Sequence, residues 1–134
     1  MTAVDAPSDA DRWTDVALRM TSIADKVAGP AAADVDEQAR FPTETIEALR
    51  ADGLLAALVP TEFGGPGATI AEVCQGMIAL GRRCASSAMV VAMHHSQVAC
   101  LVRHGRNDLL QGYLRELVEH QYFCLLYTSD AADE

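Results

Sequence analysis

Few residues in this chain have the types and spacing that chemistry needs. His94 and His95 stand side by side, Cys74, Cys84, Cys100 and Cys124 are scattered, and Gly64-Gly65-Pro66-Gly67 makes a glycine-rich stretch. A histidine pair invites a metal or acid–base reading. Neighbours on a helix point about 100° apart, whereas two imidazoles that share one ion sit four residues apart. No carboxylate stands three or four residues from either histidine. The pattern therefore predicts one imidazole facing polar atoms or a partner subunit and the other packed against the body of the protein, with no metal. The glycine stretch lacks the Gly-x-x-x-x-Gly-Lys-Ser/Thr spacing of a phosphate cradle, and alone it reads as a sharp turn. The cysteines form no Cys-x-x-Cys pair. Cys74 and Cys100 fall in apolar stretches, where a thiol acts as a small hydrophobe. All four are expected to be reduced, in a cytoplasmic protein. Met89 and Met93 read first as core filler.

Helices must position these groups. Half of the 134 residues are hydrophobic and only 5% are aromatic, and the Ala, Leu, Val and Met that dominate favour helix over sheet. A net charge of −9 with no basic stripe excludes a nucleic-acid partner. Without eighteen consecutive apolar residues no membrane span is expected. The acidic start, Met1 to Asp11, lacks the charged-then-apolar order of a secretion signal.

The periodicity predicts a first helix from about Asp9 to Val27, with Trp13, Val16, Leu18, Met20 and Ile23 on its stripe and Gly29-Pro30 as its stop. Ala31–Arg40 reads as a short turn of helix or a connector. Pro42-Thr43-Glu44 opens a second helix that closes at Gly53. Leu54–Val59 is then a connector and Pro60–Gly67 a loop. Thr69-x-x-Glu72 is a capping box for a third helix, ended near Arg82-Arg83. Ser86 or Ser87 caps a fourth, Ala88–His104, apolar on nearly every side and so placed inside the bundle. Asn107 caps a fifth that carries Leu110, Leu114 and Leu117. The fold expected is all-α, an antiparallel bundle of about five helices. Residues 1–10 are expected to be disordered and 11–123 to form the helical domain.

Residues 124–134, Cys-Leu-Leu-Tyr-Thr-Ser-Asp-Ala-Ala-Asp-Glu, break with what precedes them. The string resembles the translation of a transposon-type sequencing adapter, so it is expected to be a non-native tail on a protein that continues past Phe123. Cys124 and Tyr127 then carry no functional weight.

Several segments in order resemble one family. Arg40-Phe41-Pro42-Thr43-Glu44 is followed by Ile46-x-x-Leu49-x-x-x-Gly53-Leu54-Leu55, and then by Val59-Pro60-x-Glu62-Phe63-Gly64-Gly65-x-Gly67. Glu72, Leu80-Gly81-Arg82-Arg83-Cys84-Ala85-Ser86-Ser87-Ala88 and the apolar run to His104-Gly105 complete the set. From about Ala31 to Phe123 the chain resembles the N-terminal domain of acyl-CoA dehydrogenases. The resemblance implies a larger FAD enzyme of fatty acid metabolism, with a middle β-domain and a C-terminal helical bundle. It implies α,β-dehydrogenation of an acyl-CoA thioester by a carboxylate base and the flavin, an electron-transfer flavoprotein-type acceptor, and a homodimer or homotetramer. The base and most flavin contacts are implied to lie outside this chain, which alone is then inactive and binds no FAD. The helix from Ser87 to His104 is implied to form a wall of the acyl pocket, and Met89, Ala92, Met93 and Ser96 are its candidate substrate-binding residues. Each of the four fits the bundle core equally well. A flavin monooxygenase or an acyl-CoA oxidase fits the same resemblance, and a stand-alone helical binding module is the alternative from another class.

Overall fold

The computed structural model describes residues 9–124, with side chains from Asp15 onward. Of the stretch 1–10 expected to be disordered, residues 1–8 lie outside those described, whereas Asp9 and Ala10 belong to the first helix; most of the 124–134 tail and the side chain of Trp13 also lie outside. Six α-helices run α1 Asp9–Ile23, α2 Gly29–Glu37, α3 Thr43–Ala51, α4 Ile70–Arg83, α5 Ala85–His104 and α6 Asp108–His120, and no strand occurs among the described residues. The all-α expectation holds.

Gly29-Pro30 does not stop the first helix. A five-residue π-turn, Ala24–Ala28, joins α1 to α2, so the two form one continuous run and the six helices make five rods. The Gly29 N–H reaches back to the Ala24 carbonyl, five residues away, and Pro30 enters at the first turn of α2. Proline has no N–H and its ring crowds the carbonyl four residues back. A π-turn widens the helix where that conflict falls. The segment Ala31–Arg40, expected as a turn or connector, is therefore largely helical.

Other boundaries follow local chemistry. Gly53 adopts φ 71° and closes α3 as the sequence predicts. Thr69 and Glu72 form the reciprocal capping box at α4, and Glu72 is buried there. The cap of α5 is displaced from Ser86 and Ser87. Cys84, extended at φ −150°, ψ 106°, caps the helix and its Sγ accepts the Ser87 N–H at 3.5 Å. Ser87 lies inside α5, buried, with its hydroxyl donating to Thr45 Oγ1 at 3.2 Å.

One residue separates α4 from α5, so α5 folds back along α4, and the ideal Cβ position of Gly81 lies 3.5 Å from the Ala88 methyl. Helix α1 runs in the same sense as α4: Met20 lies against Gly76, and Asp25 pairs with Arg83 at 2.7 Å. Gly76 has no room for a side chain, since a Cβ there would meet the Met20 side chain. The core joins Val16, Met20, Ile46, Leu49, Val73, Leu80, Val91, Val98, Leu114 and Leu117. Its centre is the connector Leu54–Val59, buried throughout. Each such aliphatic side chain contributes roughly 1.5–3 kcal/mol by leaving water.

Candidate functional site

Helix α5 carries both groups of candidates, on opposite faces. Met89, Ala92, Met93 and Ser96 recur at spacings of three and four, and the structure brings them onto one outward stripe. Met89 is 64% exposed and Met93 44% exposed. Ser96 is exposed, its hydroxyl donating to the Ala92 carbonyl at 2.8 Å, and Ala92 is half-buried between them. The core-filler expectation for Met89 and Met93 is corrected. α5 is apolar on all sides yet buried on one face only, because no element covers the other among the described residues. By length and composition α5 also passes as a membrane span. Buried His94 and His95 and its packing on α4 give the plainer account of that apolarity.

The inner face holds the histidines, both buried. His94 faces polar atoms: Nε2 lies 2.7 Å from the Leu55 carbonyl, and Nδ1 accepts the Cys124 N–H at 2.9 Å. The Phe123 ring stacks on it, with centroids 5.0 Å apart and planes at 17°. Burial pushes the His94 imidazole below its ordinary value. His95 packs within the bundle, and neither of its ring nitrogens meets a hydrogen-bond partner among the described residues. Burial, and then the neighbouring His94, push His95 down to about 3. Both imidazoles are buried and held neutral, so neither is placed to exchange a proton with a substrate. No three His, Cys, Asp or Glu side chains gather as a metal site among the described residues.

The glycine loop answers the phosphate question directly. The N–H groups of Phe63, Gly64, Gly65, Gly67 and Ala68 all donate to carbonyls of Ala57, Val59, Pro60 or Thr61. None is left to turn toward an anion. Gly65 must be glycine, since a Cβ there would strike the Val59 carbonyl, and Gly64 and Gly67 take φ 88° and 68°. The loop is a knot of backbone that supports α6: Gly64 approaches Val118, and the Arg115 guanidinium lies 5.2 Å over the Phe63 ring. The N-termini of α4 and α6 are likewise occupied by Thr69 with Glu72 and by Asn107. Neither this loop nor the starts of α4 and α6 therefore fits the pyrophosphate of a flavin dinucleotide.

Sequence reasoning missed the partners of His94 and the Thr45–Ser87 pair. Both link residues far apart in the chain, and no local spacing signals them.

An all-α domain with a proline-opened α3, a knotted glycine loop and a half-covered apolar α5 defines a helical packing domain. Residues 15–121 match the family model for the acyl-CoA dehydrogenase N-terminal domain, so the chain belongs to the acyl-CoA dehydrogenase family. A probable acyl-CoA dehydrogenase of Mycobacterium leprae is 37% identical over 102 residues, covering 75% of this chain and 26% of the relative. A short-chain specific acyl-CoA dehydrogenase of Clostridium acetobutylicum is 29% identical over 91 residues, 67% of this chain and 24% of the relative. A 3-sulfinopropanoyl-CoA desulfinase of Paraburkholderia xenovorans is 27% identical over 99 residues, 73% and 25%. The matched part of the chain thus spans about a quarter of the length of these relatives. No solved structure matches.

Proposed function

We propose that this chain is the N-terminal portion of an FAD-dependent acyl-CoA dehydrogenase and that the outward stripe of α5 forms one wall of the acyl pocket. The observation that carries the reading is the exposure of Met89 and Met93 on a helix whose other face is fully packed. An apolar stripe left in water needs a cover, and flexible thioethers beside a small Ala92 suit a carbon chain of variable length. The family match supports an acyl-CoA thioester as the molecule concerned. In this reading FAD and the catalytic base reside in the β-domain and C-terminal bundle. The whole protein is a cytoplasmic homodimer or homotetramer that passes electrons to an electron-transfer flavoprotein-type acceptor. The 134 residues alone bind no flavin and turn over no substrate. What this chain's own residues do is line and orient: α5 presents the apolar stripe, and the buried face holds it rigid.

The P. xenovorans relative is a desulfinase, which supports a second reading: the same domain serving a family member with different acyl-CoA chemistry. A chimera tests the first reading at the acyl pocket, since the M. leprae relative supplies the remaining domains. Residues 15–121 of this chain replace the matching segment of the M. leprae relative, and acyl-CoA-driven bleaching of the flavin is recorded. Bleaching by saturated acyl-CoA is expected. A chimera that binds FAD yet is reduced by none of them contradicts the dehydrogenase reading.

We also propose that Cys124–Glu134 is foreign sequence. Continuous sequencing of the source locus across the Phe123 codon tests it. A frame that continues into a β-rich segment is expected. A genomic copy of the tail followed by a stop overturns it and favours the stand-alone binding module.

A further inference from the structure

We propose that His94 is a tautomer-locked clamp that fixes where the main chain leaves the helical domain, tying the residue after Phe123 to the buried connector at Leu55. Two hydrogen bonds of opposite sense define it. The Leu55 carbonyl requires a donor at Nε2, 2.7 Å away, and the N–H of residue 124 requires an acceptor at Nδ1, 2.9 Å away. Only the neutral imidazole protonated at Nε2 satisfies both. The other tautomer would set donor against donor at residue 124 and acceptor against acceptor at Leu55. The imidazolium would keep the first bond and lose the second.

The clamp holds main chain, so any residue but proline at position 124 can engage it, and the Cys124 thiol is not needed. Neighbouring contacts aim the segment at the imidazole. Gln121 ends α6 at φ 50° and turns the chain, and its carbonyl accepts from Arg50 Nε at 3.2 Å. Phe123 lies on the His94 ring, and Phe41 meets the edge of Phe123 at 6.1 Å and 79°. Residues 121–124 have no regular structure, yet α3, the Leu54–Val59 connector and α5 all hold them. Without the imidazole, a buried carbonyl and a buried N–H would both lose their partner. His94 is thus a positioning residue that sets the direction in which the chain proceeds relative to α5.

The test is amide hydrogen exchange of the full chain, read residue by residue by mass spectrometry with electron-transfer fragmentation. The amide of residue 124 is expected to be protected in the wild type. In His94→Leu it is expected to exchange about tenfold faster or more, while the amides of Leu114 and Leu117 keep their protection. His94→Gln, whose carboxamide both donates and accepts, is expected to retain part of it. A histidine that only fills space would give His94→Leu with residue 124 still protected, and that result overturns the proposal, as does an unprotected amide in the wild type. Should His94→Leu unfold, which Leu114 and Leu117 report, the tautomer of the wild-type imidazole decides. Nitrogen-15 shifts of wild-type His94 give a readout free of any variant. Unprotonated Nδ1 with protonated Nε2 is expected, and the reverse assignment contradicts the clamp.

Discussion

The two faces of α5 have nearly the same hydropathy and opposite fates. Val91, His94, His95 and Val98 are buried, whereas Met89, Met93 and Ser96, half a turn around the same helix, face outward. The face that carries two imidazoles is the one sealed from water, and the face that carries two thioethers is the one left open. Apolarity on every side of a helix therefore marks two interfaces rather than one: a core already formed, and a surface that needs another partner. Polarity within the core is tolerated where a pair of hydrogen bonds compensates it, as at His94, and is a standing cost where none does, as at His95.

The comparison breaks most visibly under a charge. Val91→Asp buries a carboxylate on the inner face and is expected to cost about 4 kcal/mol or more, enough to abolish a cooperative thermal transition. Met93→Asp on the outer face is expected to leave that transition within about 0.5 kcal/mol of the wild type. Circular dichroism melts of the two variants check both.

Acid is the next probe. Burial holds both histidines neutral in the folded chain, while the unfolded chain titrates them near the ordinary value of about 6.5. Their folded values are depressed, so stability is full above about pH 6.5. It falls as protons bind the unfolded state first, at up to about 1.4 kcal/mol per pH unit for each histidine. Denaturant melts between pH 7 and pH 5 are expected to show that decline, and His95→Met to show a shallower one. A stability that rises on acidification would contradict the burial of both rings.

His95→Met also sharpens the comparison at pH 7. It exchanges an imidazole with no hydrogen-bond partner among the described residues for an apolar side chain and is expected to stabilise the fold by about 1 kcal/mol. The smallest effect on stability belongs to Met89→Ser with Met93→Ser. That pair is expected to change the melt little, yet to reduce self-association of the isolated chain, measured by sedimentation. Ile70, Ile78 and Leu109 are also exposed and are expected to add to that association in the wild type.

Much of the fold was legible because its signals are local. The Thr69-x-x-Glu72 box, the Gly53 stop and the Asn107 cap each act within a few residues, and each lies where the sequence puts it. The family segments were legible for a related reason: the Val59–Gly67 motif is a backbone knot whose glycines are required by close approach and positive φ. Gly29-Pro30 misled because a π-turn absorbs a proline that would otherwise end the helix. Cys84 was missed because a sulfur cap carries no familiar spacing. The placement of His94 was half legible. That one histidine would face polar atoms followed from the 100° step, but its partners lie 39 and 30 residues away and emerge only on folding. The outward direction of Met89 and Met93 was illegible, since a helix apolar all round gives no sign of which face the protein covers.

The measurement that bears most directly on the central claim is a chain-length profile of flavin reduction in the chimera, with and without Ala92→Trp. Ala92 lies midway along the outward stripe, so an indole there is expected to shift preference toward shorter acyl-CoA substrates while the protein still melts cooperatively and holds FAD. An unchanged profile in a folded, flavin-loaded Ala92→Trp chimera would contradict the assignment of this face of α5 to the acyl pocket.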